Sequence, residues 1–406
     1  MTNSAIKVEE ALSRLLAGAV PLPAETVKLS EAQDRVLAQD IYAKRTQPPF
    51  AASAMDGYAV RSQDVDQPGA ILTVVGEVAA GYTSDKIVGA NQTVRIFTGA
   101  PIPQGANAIL IQEDATVLDD ATIEARVAVA PDTYLRPAGL DFGEGDLLLR
   151  KDQLLDAGAL CLAASGNHAE LLVYAKPRIG ILATGDELRS PGSTLEPGQI
   201  TASNSYGVAA IVTSHGGIPI DLGIARDDSD SLQAALNSAI EQKCDGLITL
   251  GGASVGEHDL VRSVFIDAGM ALNFWQILMR PGKPLMFGTL ENMRILGLPG
   301  NPVSSLVCSH LFVAPLVAAL GGRQHLIQRQ TALLSHDLPA NGGREQYARA
   351  VISRRDGSYY ADVFENQDSS IVSLYAKANA LVIRPIDAPV AKAGETAKFI
   401  AIGNVE

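Results

Sequence analysis

The chain has 406 residues, of which 47% are hydrophobic and 19% are charged, so its composition is globular and excludes a disordered chain. At about 150 residues per domain, this length predicts two to four domains. The 32 basic and 45 acidic side chains leave a net charge of −13, which disfavours nucleic acid and anionic membranes as partners. An anionic small molecule then needs local cations, helix N-termini or a metal ion in order to bind.

The first predicted elements in the chain are helices. Apolar residues recur on one face of residues 5–17, which predicts an amphipathic helix. Ser30 and Gln33 form a capping-box pattern ahead of further apolar residues, so a second helix is expected over residues 29–41. A third predicted helix, residues 154–166, ends in a glycine and is expected to pack against the first two. The segment between them would then be an insertion.

The inserted segment has a β pattern. From residue 43 to residue 146, short runs of β-forming residues are separated by Gly, Pro, Asn and Asp, which predicts an all-β domain. From Pro177 onwards, buried-type strands alternate with helices of 10 to 15 residues, which predicts βαβ units and a parallel sheet. A second β-rich stretch follows Gly322.

These patterns predict a multidomain fold of the α/β plus β class. A helical N-terminal domain carries the β-rich insertion, a parallel-sheet βα domain follows, and a β-barrel-like domain ends the chain. The predicted boundaries are 1–42 with 147–176 for the N-terminal domain, 43–146 for the insertion, 177–322 for the βα domain and 323–406 for the C-terminal domain.

The cysteines and the apolar runs predict the compartment. Cys161, Cys244 and Cys308 lie far apart in apolar surroundings without a C-x-x-C pair, which predicts three reduced, buried thiols in a cytoplasmic protein. The N-terminus lacks both a basic start and a continuous apolar core, so no signal peptide is expected. No apolar run continues for the roughly 18 residues that a membrane span needs, so no span is expected.

Four predicted strand ends in the βα domain carry residues suited to binding an anion. In an open parallel sheet, ligands bind where the carboxyl ends of strands meet helix N-termini. Glycine allows close approach of a ligand, and exposed N–H groups favour an anion. The four ends, expected to form one phosphate or oxyanion site, are Thr184–Glu187, Arg226–Asp228, Gly251–Asp259 and residues 297–305.

Acidic side chains at these ends would repel an anion unless a cation were present. Mg²⁺ binds carboxylate and substrate oxygens together, so we expect it to resolve this repulsion. Arg280 and Lys283, on either side of a Pro-Gly turn, are suited to binding phosphate. The acids concerned are Glu187, Asp227, Asp228 and Asp259.

Structural roles compete with these interpretations. A glycine pair after a strand is often only a turn, and Asp259 also fits the N-cap of a helix that begins near Leu260. Asp227 or Asp228 fits the N-cap of another helix in the same way. The motifs G-x-x-x-x-G-K-[ST] and G-x-G-x-x-G are both absent at these ends, which disfavours a P-loop protein and a dinucleotide-dependent oxidoreductase.

As a set, these and other motifs resemble the molybdopterin molybdenumtransferase family, which includes the C-terminal part of gephyrin. The resemblance is dense from Pro48 to Pro302 and is looser outside, although "QDSSIVSLYAKANALV" is also similar. The motifs that carry it are "SAMDGYAVR", "FTGAPIPQGANAI", "ATGDEL", "GGASVGEHD", "RPGKPLMFG" and "GLPGNPVSS".

The resemblance implies both an architecture and a reaction. Members have four domains, form elongated homodimers whose site is shared between chains, and contain a βα domain that binds molybdopterin. They insert molybdate into the dithiolene of adenylylated molybdopterin, using Mg²⁺ and releasing AMP. The resemblance also allows contact with other proteins of molybdenum cofactor biosynthesis, and it implies neither a nucleic acid nor a membrane partner.

The matching motifs predict which residues of this chain form the site. Predicted catalytic residues are Asp56, Thr98, Asp141, Glu187 and Asp259. Predicted substrate-binding residues are Asp227, Arg280, Lys283, Pro299, Pro302 and Ser370, to which the glycine-rich loop adds Gly251, Gly252 and Ser254. The residues expected to hold Mg²⁺ are Glu187, Asp227 and Asp259.

Two departures from the family pattern affect this transfer. Ala51 and Ala52 stand where the family commonly has Asp-Asn, and Gln276 stands where it commonly has a lysine. With one cation fewer, Arg280 is expected to take a larger part in handling molybdate.

Two other functions stay open at this point, a non-catalytic pterin-binding scaffold and the earlier adenylyl transfer to molybdopterin. The choice between molybdate and tungstate also stays open, because the two oxyanions would contact the same groups.

Overall fold

The computed structural model describes residues 5–252, 260–324 and 327–405. The chain divides into two compact units. One contains Met1–Glu25, Asp34–Val36 and Val173–Glu406, and the other contains Thr26–Gln33 and Leu37–Leu172. The finer division into four domains stays a prediction.

The helices are short, and several begin at residues that the sequence pattern marks. Asp156 accepts a hydrogen bond from the Ala159 N–H at 2.8 Å and so caps the helix that follows it. The helices in the described residues are α1 (Val8–Leu16), α2 (Ala157–Ser165), α3 (Asn204–Ser214), α4 (Ser229–Glu241), α5 (Leu260–Asp267), α6 (Pro302–Cys308), α7 (Ala314–Leu320) and α8 (Val372–Tyr375).

The predicted β-rich insertion is a curled six-stranded sheet in the second unit. The strands up to residue 174 are β1 (Ala24–Lys28), β2 (Ile41–Tyr42), β3 (Ala52–Ser53), β4 (Gly57–Val60), β5 (Ile71–Val78), β6 (Gln92–Ile96), β7 (Ala108–Ile111), β8 (Ala115–Asp119), β9 (Thr122–Ala125), β10 (Leu135–Arg136), β11 (Leu147–Leu149) and β12 (Glu170–Tyr174). The sheet order is β7-β4-β6-β5-β9-β8. Consecutive residues such as Ala59 and Val60 pack into separate apolar clusters, so both faces of the sheet are buried.

The βα domain in the first unit contains a second six-stranded sheet. Its region comprises β13 (Arg178–Thr184), β14 (Leu188–Arg189), β15 (Ile200–Thr201), β16 (Ile218–Ala225), β17 (Gly246–Leu250), β18 (Ala271–Gln276), β19 (Met279–Arg280), β20 (Pro284–Leu290) and β21 (Met293–Leu298). The order is β16-β13-β17-β21-β20-β18. Residues of α3, α6 and α7 pack on one face, and residues of α4 and α5 pack on the other.

The C-terminal region forms a closed barrel, as predicted. Its strands pair in the order β23-β24-β22-β26-β25, and β25 pairs with β23 to close the ring. The short β19 adds to β23 from outside the ring. The five strands are β22 (Gln330–Leu334), β23 (Glu345–Arg355), β24 (Ser358–Val363), β25 (Ala380–Arg384) and β26 (Thr396–Ala401).

Two secondary-structure predictions are wrong. The helix expected over 29–41 is only a 3₁₀ turn at Leu29–Glu31, because Asp34 takes a left-handed φ of 59° that interrupts any helix. The Leu37 N–H then bonds to a distant carbonyl, that of Gln153, at 3.0 Å. The βα sheet is also mixed rather than parallel, because β20 and β21 form a hairpin around Glu291, with a φ of 50°, and β18 pairs antiparallel with β20.

One further prediction is wrong. Cys161 is exposed, because it lies on a face of α2 that turns to solvent, whereas Cys244 and Cys308 are buried. The segment Pro302–Leu320 is long and apolar enough for a membrane span, with a mean hydropathy of 2.0, because the serines and histidine that interrupt it are few. However, 89% of it is buried within the protein, which is typical of a core helix.

Candidate active site

A cleft of about 920 Å³ lies at the carboxyl ends of the parallel strands of the βα domain. All four strand ends selected from the sequence contribute to its lining. They do so with Thr184, Gly185 and Glu187, with Asp227, with Gly251–Gly252 and with Pro299–Pro302. This is where an open α/β sheet binds ligands, since loops diverge there and leave backbone groups exposed.

The glycine pair is required by close packing between two strand ends. Gly251 and Gly252 have φ values of 105° and 67°, which side chains rarely adopt. A Cβ on Gly251 would lie 2.7 Å from the carbonyl oxygen of Thr184, and a Cβ on Gly252 would collide with the side chain of Val261. These glycines therefore have a structural reason to be there, as well as leaving the cleft open.

The loop that contains Pro299 and Pro302 is clamped by two polar side chains. The Asn204 amide donates to the Gly300 carbonyl at 2.7 Å, and the buried Ser305 hydroxyl donates to the Pro299 carbonyl at 2.5 Å. Asn204 lies at the start of α3 and also lines the cleft. The sequence interpretation did not select Asn204, because its partner Gly300 is distant in the chain.

A loop of the barrel completes the lining at Ser370. The Asn301 amide donates to the Ser369 hydroxyl at 3.0 Å, and the Val303 N–H donates to the Ser369 carbonyl at the same distance. The Ser370 hydroxyl in turn donates to a carboxylate oxygen of Asp368 at 2.7 Å. Ser370 is thus held beside the Pro299–Pro302 loop, and its role in substrate binding stays a prediction.

A buried arginine holds the Ser370 loop in place, and the sequence interpretation missed it. Arg349 on β23 is only 1% exposed. Its guanidinium donates to the Gln367 side-chain oxygen at 3.3 Å, the Ile371 carbonyl at 3.2 Å and the Asn366 carbonyl at 3.4 Å. A charged residue between two alanines in a strand was the only available signal.

The acidic residues near β16 divide into two roles. Asp228 caps α4 by accepting a hydrogen bond from the Ser231 N–H at 2.7 Å, so the capping role belongs to Asp228. Asp227 lines the cleft instead. Partial burial raises the pKa of Asp227, and the nearby carboxylates of Asp186 and Glu187 raise it further.

The structure describes two of the three residues predicted to hold Mg²⁺. Glu187 and Asp227 both line the cleft, and the Glu187 carboxylate folds over Gly185. Asp259 and Ser254 lie outside the described residues. Within residues 5–252, 260–324 and 327–405, no group of three or more His, Cys, Asp or Glu side chains is arranged to hold a metal ion.

The predicted cations lie beside the cleft rather than in its lining. Arg280 is exposed at the end of β19, where its strand pairs with β23, and Lys283 is also exposed. Pro284, directly after Lys283, does line the cleft. The lining residues that the structure describes include neither lysine nor arginine.

In the β-rich unit, the structure brings together two of the three predicted catalytic residues. One carboxylate oxygen of Asp56 accepts hydrogen bonds from both the N–H and the hydroxyl of Thr98, each at 2.7 Å. These bonds lower the pKa of Asp56. Asp141 lies in an exposed loop, where its N–H donates to the Gln47 carbonyl at 3.0 Å.

Ala51 and Ala52, the two residues that differ from the usual family pattern, lie at β3, where Ala52 is buried.

Models of known protein families match almost the whole chain. The MoeA N-terminal region (domain I and II) matches residues 6–166. A probable molybdopterin binding domain matches residues 180–319, and the MoeA C-terminal region (domain IV) matches residues 331–402.

Full-length relatives agree with this assignment. The chain is 35% identical to a molybdopterin molybdenumtransferase of Haemophilus influenzae over 396 residues, which cover 96% of this chain and 97% of the relative. It is 32% identical to one of Bacillus subtilis, over 98% and 94% of the two chains. The chain belongs to the molybdopterin molybdenumtransferase family.

A solved structure also shares the fold. The molybdopterin biosynthesis MoeA protein from Pyrococcus horikosii is 28% identical and superposes with a TM-score of 0.83, over 99% of this chain and 100% of that one. As a molybdopterin molybdenumtransferase family member, the protein is a transferase of molybdenum cofactor biosynthesis that inserts molybdenum into molybdopterin. The family prediction from the sequence motifs is confirmed.

Proposed function

We propose that the protein uses molybdate and Mg²⁺ to convert adenylylated molybdopterin into the molybdenum-loaded pterin, with release of AMP. The observation that carries this proposal is the cleft itself. It combines a glycine-lined strand end at Gly251–Gly252 with the carboxylates of Glu187 and Asp227. Such a site suits a phosphorylated ligand only when a cation accompanies that ligand.

The raised pKa of Asp227 supports the requirement for a cation. Asp227, Asp186 and Glu187 repel one another, and a divalent ion beside them would relieve that repulsion. We assign Glu187 and Asp227 as protein ligands, together with Asp259. Mg²⁺ would neutralise charge on the phosphoanhydride as it is cleaved. Mg²⁺ is often held by protein carboxylates together with substrate oxygens and water.

Asp56 is proposed to act on the water that attacks the phosphoanhydride. The two hydrogen bonds from Thr98 stabilise the ionised carboxylate and fix one oxygen, which leaves the other oxygen available to accept a hydrogen bond from the water and orient it. Water adds to the phosphorus on the pterin side as the bond from that phosphorus to the bridging oxygen breaks, so AMP leaves with the bridging oxygen and the proton of the water passes to solvent. We further propose a homodimer in which Asp56, Thr98 and Asp141 of one chain face the cleft of the other.

We also propose a cellular location and protein partners. We expect a cytoplasmic protein, because Cys244 and Cys308 are buried free thiols, and burial raises the pKa of both. Contact with other proteins of molybdenum cofactor biosynthesis would allow a labile pterin to pass between them.

The test is a single turnover with adenylylated molybdopterin, followed by measurement of AMP and of pterin-bound molybdenum. We expect AMP release only when molybdate and Mg²⁺ are both present. Binding of the substrate without AMP release would support the scaffold function instead, and turnover of ATP would support adenylyl transfer. Replacing molybdate with tungstate measures the preference between the two oxyanions. The variant Gln276→Lys tests the departure from the family pattern and should strengthen oxyanion binding.

A further inference from the structure

Arg95 on β6 lies beside the Asp56–Thr98 pair of the β-rich unit. Strand β6 pairs antiparallel with β4, and the register sets Arg95 directly opposite Tyr58. Tyr58 follows Asp56 by two residues, and Thr98 follows Arg95 by three. Side chains opposite each other in a strand pair share a face of the sheet, so Arg95 adjoins the segments that carry both members of the pair.

The guanidinium of Arg95 packs on two aromatic rings. Its central carbon lies 4.8 Å from the centroid of the Tyr58 ring and 5.1 Å from that of the Phe97 ring. Both distances are within the range of a cation–π interaction. Phe97 directly precedes Thr98, so the contact restrains the backbone from which Thr98 donates to Asp56.

Hydrogen bonds connect the same guanidinium to the backbone beside Asp56. Arg95 donates to the Gly57 carbonyl at 3.2 Å and to the side-chain oxygen of Gln112 at 2.6 Å. The Gln112 N–H donates in turn to the Asp56 carbonyl at 3.1 Å. A Cβ on Gly57 would lie only 2.1 Å from the Leu110 carbonyl oxygen, so this backbone is packed closely against β7. Asp56 is therefore held from both sides.

The charge of Arg95 is not neutralised by an ion pair. None of the ion pairs in the described part of the chain includes Arg95. Glu77 is its register partner on β5 but is not among its ion-pair partners there, and the oxygens that Arg95 bonds to are neutral. After the two hydrogen bonds from Thr98, the positive charge of Arg95 also lowers the pKa of Asp56.

We propose that Arg95 is a positioning residue that fixes the Asp56–Thr98 pair in the geometry at which Asp56 orients the attacking water. This inference rests on the proposed function, which assigns that water to Asp56. A guanidinium suits the task because its planar fork stacks on rings and donates to two acceptors at once. A lysine at this position would keep the charge but would not make both hydrogen bonds in the same way.

The experiment compares Arg95→Met and Arg95→Lys with the parent. We expect Arg95→Met to slow single-turnover AMP release at saturating substrate by about tenfold, with the substrate affinity unchanged, because the pair loses its alignment. The pKa of Asp56, measured by carbon-detected NMR titration, should rise in the same variant. Arg95→Lys should keep that pKa close to the parent value and restore only part of the rate.

Two further variants separate positioning from a general loss of structure. Arg126→Met is the matched control, because Arg126 is an exposed arginine of the same unit that donates to the Glu113 carbonyl at 3.3 Å. It should match the parent in rate and in the pKa of Asp56. Gln112→Ala removes one partner of Arg95 at an exposed position, so it should fold normally and slow AMP release by a smaller factor than Arg95→Met.

A folded Arg95→Met with the rate of Arg126→Met, or with an unmoved Asp56 pKa, would overturn this inference. If Arg95→Met does not fold, a Gln112→Ala rate equal to that of the parent would overturn it instead. A parent protein that releases no AMP would overturn the proposed function. The Asp56 titration needs no turnover, so it would still show whether Arg95 holds the pair.

Discussion

The two compact units shift the pKa values of their key carboxylates in opposite directions. In the β-rich unit, Asp56 is exposed and receives two hydrogen bonds from Thr98, so its pKa is lowered and the charged form is stabilised. In the βα domain, Asp227 receives little such support and lies near Asp186 and Glu187, so its pKa is raised. The fold thus stabilises the ionised form of Asp56, whereas the ionised form of Asp227 is destabilised and would be stabilised by a nearby cation.

This difference indicates a division of labour. A carboxylate that the fold already stabilises stays ionised and is a weak base, so it suits accepting a hydrogen bond from water and orienting it without a further partner. A carboxylate that its neighbours destabilise is a better ligand for a cation, because binding removes an existing repulsion. We therefore assign the chemical step to the Asp56 side and the cation to the Asp227 side.

The largest effect is expected from Asp56→Asn. An amide is a neutral and weaker acceptor than a carboxylate and orients the attacking water less well, so the single-turnover rate of AMP release should fall by about 10²-fold. Asp119→Asn is the matched control, because Asp119 is an exposed aspartate of the same sheet whose pKa is also lowered by local hydrogen bonds. A control variant as slow as Asp56→Asn would remove any special role for Asp56.

The next largest effect is expected from removing the side chain that holds the Ser370 loop beside the cleft. Arg349→Met removes a buried guanidinium that donates to the Gln367 side chain and to the Asn366 and Ile371 carbonyls, and it should lower the free energy of unfolding by roughly 2–4 kcal/mol, measured by urea denaturation. Arg384→Met is the control, because Arg384 is also a buried barrel arginine but bonds to the Pro339 and Pro389 carbonyls, away from the cleft. Only Arg349→Met should also raise the KM for the pterin, since Arg349 positions the Ser370 loop. Equal KM values for the two variants would contradict this positioning role.

A smaller effect is expected from Thr98→Val. The substitution removes the hydroxyl that donates to Asp56 and keeps the backbone donor, so the pKa of Asp56 should rise towards its ordinary value without reaching it. Carbon-detected NMR titration of the Asp56 carboxyl measures this directly. The same titration of Asp119 should show no change, and an unshifted Asp56 would show that the backbone donor alone maintains the lowered pKa.

The smallest effect is on stability, and it changes with pH. Because the folded pKa of Asp227 is raised, its ionised form destabilises the protein, and that cost grows as pH rises from the unfolded value of about 3.9 through the folded value. Asp227→Asn should therefore unfold at a higher temperature than the parent at neutral pH, with the difference vanishing at acidic pH. A variant that is less stable than the parent at pH 7 would show that the Asp227 charge is supported after all.

The sequence predicted the parts of the protein that local patterns determine. Alternating strands and helices located β13, β16, β17 and β21, and hence the edge of the sheet at which the cleft forms. The capping box at Ser30 failed because tertiary hydrogen bonds and the φ of Asp34 prevailed over a local preference. Arg349 and Asn204 were missed because their partners lie 22 and 96 residues away, and no local pattern encodes such contacts.

The most direct test of the account is the Mg²⁺ dependence of single-turnover AMP release in the parent, Asp227→Asn and Asp56→Asn. If Asp227 holds the cation, Asp227→Asn should raise the half-saturating Mg²⁺ concentration by about tenfold or more, since a charged ligand oxygen is lost. Asp56→Asn should lower the rate at saturating Mg²⁺ and leave that concentration unchanged. A shift in Mg²⁺ dependence for Asp56→Asn but not for Asp227→Asn would contradict the assignment of the two carboxylates.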